Sequence, residues 1–129
     1  MINQEIGFLI QKLKQDNTLI IVEGKKDKKA LQNLGFSNIV ELSKKPIFGI
    51  IEEIASKTKR CAILTDLDEQ GKHWYGKLKE GLSHHGVFID DSLRNFLFKE
   101  TQLRQIEGLD SYLMHEEQGK VKRVSKTTQ

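Results

Sequence analysis

The sequence contains a single cysteine, Cys61, so it can form no internal disulfide and carries no cysteine-rich metal motif. The apolar run Cys61-Ala62-Ile63-Leu64 makes that thiol a buried small hydrophobe and not a nucleophile. One proline, Pro46, and no Ser-, Gly- or Pro-rich stretch exclude a low-complexity chain and a flexible linker between two domains. Long hydrophobic runs are missing too. Leu19 to Val22 and Cys61 to Leu64 fall far short of the roughly 18 residues that span a bilayer. The N-terminus, Met1 to Glu5, has neither the basic region nor the apolar core of a secretory signal, so a cytoplasmic protein without membrane contact is expected.

Acidic residues are absent from 119–129, where Lys120, Lys122, Arg123 and Lys126 lie. Without those four, the 21 basic residues become 17 against 18 acidic ones, so the net charge of +3 belongs to a basic tail. Such a tail suits a polyanion or simply solubilises the chain. The 129 residues suffice for one domain with its own core.

Hydrophobic spacing then supplies the elements. Ile2, Ile6, Leu9, Ile10 and Leu13 recur at helical intervals and predict an N-terminal helix over 1–17 that packs on the domain behind it. Thr18 to Val22 is a short β-branched run, read as a strand buried on both faces. Lys25 to Leu34 reads as a helix stopped by Gly35, Asn38 to Leu42 as a second strand, and Pro46 as the start of a helix with Ile47, Ile50, Ile51 and Ile54 on one face. Cys61 to Thr65 and Val87 to Ile89 are further strands, with Trp74, Leu78 and Leu82 marking the helix between them. Leu93 and Leu97 suggest another helix, and Gln105 to Leu113 an element of open type. Alternating strands and helices predict an α/β fold: a mostly parallel four-stranded sheet with helices on both faces, occupying 18–118, followed by the tail 119–129.

In such a sheet, groups at the carboxyl ends of strands converge on one edge, where ligands bind. Glu23 and Asp66 stand at two such ends, and Asp68 follows in the next turn. Three gathered carboxylates suit magnesium or manganese, whereas the bland alternative is that they only cap helices. The motif Glu23-Gly24-Lys25 after one apolar strand, with Thr65-Asp66-Leu67-Asp68-Glu69-Gln70-Gly71 after another, resembles the Toprim signature of topoisomerases, bacterial-type primases and certain nucleases. Glu107-Gly108-Leu109 is similar to a segment of small Toprim proteins, some related to ribosomal-RNA maturation nucleases.

The resemblance implies that Glu23 is the general acid or base and also a metal-site residue, and that Asp66 and Asp68 bind Mg (or Mn). It implies phosphodiester chemistry on nucleic acid, RNA or DNA, by a nuclease or nucleotidyl transferase, with RNA processing favoured. A non-catalytic nucleic-acid or protein binding module that keeps the Toprim site is the alternative. Topoisomerase members carry a third acid where this chain has Gln70, so a second metal is not implied. Lys25, Lys44 and Lys45 are the candidate substrate contacts, the last two because their loop follows the second strand. Lys26, Lys28 and Lys29, with Lys25, could meet a phosphate backbone, although a charge run at a helix start more often reads as a solvated face; Tyr75 and Tyr112 read as packing residues, and His73, His84, His85 and His115 as residues without metal spacing. A phosphotransfer domain with Asp66 as nucleophile is disfavoured, because that chemistry places its aspartate after the first strand and not the third.

Overall fold

The computed structural model describes residues 2–43 and 45–114; Lys44, His115 and the basic tail fall outside these, as does the domain end placed at 118. The order is α1 (Ile2–Gln15), β1 (Leu19–Val22), α2 (Lys25–Asn33), β2 (Ile39–Glu41), α3 (Ile47–Lys57), β3 (Arg60–Ile63), α4 (Glu69–His84), β4 (Phe88–Ile89) and α5 (Ser92–Glu100). A 3-10 turn, Ile106–Gly108, follows and passes into helical turns over 109–114. The four strands form one sheet in the order β2-β1-β3-β4, and every pairing is parallel. The expected α/β architecture with its N-terminal helix is therefore present.

Successive side chains on a strand point to opposite faces, so the two central strands feed two cores. Leu19 and Ile21 with Cys61 and Ile63 meet Ile50, Ile51 and Ile54 of α3 and Leu78 and Leu82 of α4. Ile20 and Val22 with Ala62 and Leu64 meet Ile6, Ile10 and Leu13 of α1, Leu31 of α2 and Leu93 and Leu97 of α5. Burial on both faces is why β1 and β3 read as unbroken apolar runs instead of alternating ones. Cys61 is fully buried there, and burial pushes its thiol up to about 12, which makes it inert.

Two differences in detail have local causes. Pro46 is the residue before α3 and not its first turn, with an extended backbone that feeds the helix at Ile47. The helix expected around Trp74 starts earlier, at Glu69, because Asp68 caps it. What positions the site is the topology: β1 exits to α2 on one face, while neighbouring β3 exits to α4 on the other. Adjacent strands that leave toward opposite faces open a crevice at their carboxyl ends.

Candidate metal and phosphodiester site

Glu23 leaves β1 at this crevice, and its Oε2 accepts the backbone N–H of Asp66 at 2.8 Å. The two predicted strand ends are thereby joined. Asp66 Oδ1 accepts the N–H of Ile106 at 2.9 Å, and the N–H of Leu67 donates to the carbonyl of Arg104 at 2.6 Å, so the segment after α5 is tied to the end of β3. Asp68 Oδ1 accepts the Gly71 N–H at 2.8 Å. Asp68 is thus the cap of α4, as the plainer reading of it expected.

The turn between them is held from below. A Cβ on Gly71 would lie 1.8 Å from the Asp66 carbonyl oxygen, so only glycine lets α4 start this close to the Asp66 backbone. The Thr65 hydroxyl donates to the Gly71 carbonyl at 2.7 Å. Buried Arg94 donates to the Thr65 carbonyl, to the Thr65 hydroxyl at 3.2 Å and to the Asp66 carbonyl at 3.2 Å. Its guanidinium lies 4.4 Å from the centre of the Tyr75 ring, which gives that tyrosine the packing role expected of it.

Negative charge dominates the crevice. Partial burial raises the Glu23 carboxyl above its ordinary value; the Asp66 N–H opposes this, while the charges of Asp66, Asp27 and Asp68 add to it. Asp66 is raised by burial too, held back by the Ile106 N–H, pushed further by Asp68 and Glu107 and relieved by Arg94. Asp27, buried in the first turn of α2, accepts the Gly24 N–H at 3.1 Å and is raised by burial and then by the charge of Asp66. Burial lowers the Arg94 guanidinium, and the surrounding anions, including Glu23 and Asp66, counteract that loss.

A hard cation fits this donor set. Among the described residues no three His, Cys, Asp or Glu side chains come close enough together to form a metal cage of their own. Magnesium does not need one: it keeps several waters and is usually held by one or two carboxylates plus substrate phosphates. Glu23, Asp66 and Asp68 each accept a backbone N–H through one named oxygen, and a carboxylate has a second to offer.

The structure ties the Glu23 carboxylate to the Asp66 backbone and sets Asp68 at the cap of α4, two residues on. It does not bring Lys25 or Lys45 into hydrogen-bonding contact with them among the described residues; both are exposed, at the start of α2 and ahead of α3. Sequence reasoning missed Asp27, Arg94 and the structural part of Gly71. Gly71 stood inside the quoted motif, and Glu107, whose charge acts on Asp66 and Asp27, inside the quoted Glu-Gly-Leu segment. Arg94 left no signal.

A parallel sheet with its acids at the β1 and β3 ends is the arrangement of a Toprim domain, and the Toprim domain family model matches residues 18–91. The chain belongs to that family. It is similar to small proteins of the UPF0292 group: that of Methanocaldococcus jannaschii is 32% identical over 106 residues, covering 79% of this chain and 83% of the relative. That of Pyrococcus abyssi is 36% identical over 103 residues, covering 79% and 76%. A solved structure of a protein from Aquifex aeolicus superposes with a TM-score of 0.70 at 37% identity, covering 76% of this chain and 92% of that one. Toprim membership connects the chain with metal-dependent chemistry on nucleic acid in general. Among the described residues no helix is long and apolar enough to cross a membrane.

Proposed function

We propose that the protein makes or breaks phosphodiester bonds in nucleic acid, with Glu23 transferring the proton and Asp66 and Asp68 holding magnesium or manganese. The observation that supports this reading is the bond from the Asp66 N–H to Glu23 Oε2, which holds the Glu23 carboxylate at the end of β3 beside Asp66. When bound, the metal neutralises charge that develops on the phosphate. Glu23 moves a proton to or from the attacking or leaving oxygen through its other oxygen. Arg94 and Gly71 hold the Asp66 backbone in place, so both carboxylates keep their aim. RNA is the preferred substrate and processing the preferred context, on the resemblance to maturation nucleases.

The test is turnover of labelled RNA and DNA with magnesium or manganese. Glu23→Gln is expected to keep metal binding by calorimetry yet lose at least about 100-fold in rate, the usual size of an acid–base contribution. Asp66→Asn with Asp68→Asn is expected to lose the metal itself. Unchanged turnover in Glu23→Gln would remove Glu23 from the chemistry; nucleic-acid binding without any turnover in the parent would make the protein a binding module.

A further inference from the structure

An open groove of about 740 Å³ runs beside the carboxylates, between α2 and the segment after α5. Asp68 and Glu107 line it, which makes it continuous with the crevice. Its walls carry Lys26 and Lys29 from α2 and Arg104 from the opposite side. These are not paired cations: among the described residues none of the three has an acidic group within ion-pair distance, whereas Lys57, Arg60 and Lys79 elsewhere do.

Arg104 is held in advance of any ligand. Its Nη1 donates to the carbonyls of Thr101 at 2.9 Å and Leu103 at 2.8 Å, and its guanidinium lies 5.4 Å from the centre of the Phe98 ring. One nitrogen is thus committed to the backbone, which leaves the rest of the fork to face an anion. The 3-10 turn that follows Arg104 donates to Asp66, so this cation and the metal ligand ride on one short segment. Gln102 and Gln105 line the same groove with side-chain amides, groups that both donate and accept.

We propose that this groove seats a single strand of nucleic acid, with phosphates on Lys26, Lys29 and Arg104 and base edges against Gln102 and Gln105. It leads the strand to the carboxylates at its Asp68 end. The proposal rests on the phosphodiester chemistry assigned above. Unpaired cations on both walls suit a phosphate backbone, and side-chain amides beside them suit base edges, which in RNA are open to side chains chiefly where the strand is single. It also moves the favoured substrate contact from Lys44 and Lys45 to Lys26 and Lys29 on α2, the less favoured candidates of the sequence.

The experiment is anisotropy of a labelled 12-nucleotide single strand and of a hairpin duplex, titrated with full-length protein across a salt series. Lys26→Ala with Lys29→Ala is compared with Lys77→Ala, an exposed change on α4, and melting curves confirm that each variant folds. Loss of two phosphate contacts is expected to flatten the log–log salt slope by about 1.4 for a single strand and to weaken binding at least about tenfold. Gln102→Ala with Gln105→Ala is expected to narrow the preference for single strand over duplex. Lys77→Ala and Glu23→Gln are expected to keep the parent slope. An unchanged slope in the lysine pair, equal affinity for duplex and single strand, or tighter binding of an acidic peptide would each overturn the groove assignment. Turnover retained in Glu23→Gln would instead overturn the chemistry, so the two failures are distinguishable.

Discussion

Gly71 is the residue on which the geometry of the site depends most directly. Its missing side chain lets the first turn of α4 rest on the Asp66 carbonyl, and no flexible side chain stands there to give way. Gly71→Ala is expected to cost at or above the top of the usual overpacking range, about 3 kcal/mol, and to weaken metal binding because the Asp66 backbone must move. Urea unfolding and calorimetry check both parts. Asp90 shows a different residue-scale effect. Burial alone would raise its carboxyl, but the Ser92 hydroxyl at 2.6 Å, the Ser92 N–H at 3.0 Å and the Arg60 guanidinium at 2.8 Å outweigh burial and lower it. A carboxyl depressed by folding contributes stability above its unfolded value, about 3.9, and loses it as pH falls through the lower folded value. Asp90→Asn is therefore expected to destabilise the fold at pH 7 by about 1 kcal/mol, discounted because Arg60 is 40% exposed. The gap should narrow in urea titrations as pH falls below that unfolded value and on through the lower folded one.

At the scale of elements, the family match and the folding unit differ. The match covers residues 18–91, yet one of the two cores is closed by α1 before it and by α5 and the 3-10 turn after it. Ile6, Ile10 and Leu13 of α1 are buried against that core. At about 1.5–3 kcal/mol each, they account for roughly 5–9 kcal/mol of burial, comparable with the roughly 5–15 kcal/mol net stability of a domain. A chain beginning at Thr18 is expected to lose cooperative unfolding at 25 °C by circular dichroism; an unchanged melting temperature would contradict this. The elements themselves were legible because local signals mark them. β1 ends at Val22 as expected, and Gly35, with φ of 95°, stops α2 as its place just past the helix predicts. The positions of Glu23 and Asp66 after the central strands, and of Asp68 at the start of α4, were legible because a motif spaces them so. Arg94 and the Ile106 N–H were not, since their partners lie 29 and 40 residues away and the contacts run through backbone atoms that every residue possesses. The lysines were ranked by which strand their loop follows, and that ranking missed a groove made jointly by α2 and the segment after α5.

For the whole molecule, the bonds that join the crevice's separate segments are distant in sequence: 43 residues from Glu23 to Asp66 and 40 from Asp66 to Ile106. Such contacts require β1 paired with β3 and the segment following α5 docked, so they are expected to close late. A folding nucleus does not need them, so an ion that binds there acts after the barrier on the way in and before it on the way out. At a hundredfold excess over its dissociation constant, magnesium should add about 2.7 kcal/mol of stability. Stopped-flow measurements are expected to find nearly all of it as unfolding slowed by about 100-fold, with the refolding rate unchanged. Long sequence separation at the crevice thus becomes a matter of lifetime: a metal bound there would not help the chain find its structure, but would prolong how long each folded molecule lasts before it next opens to a protease.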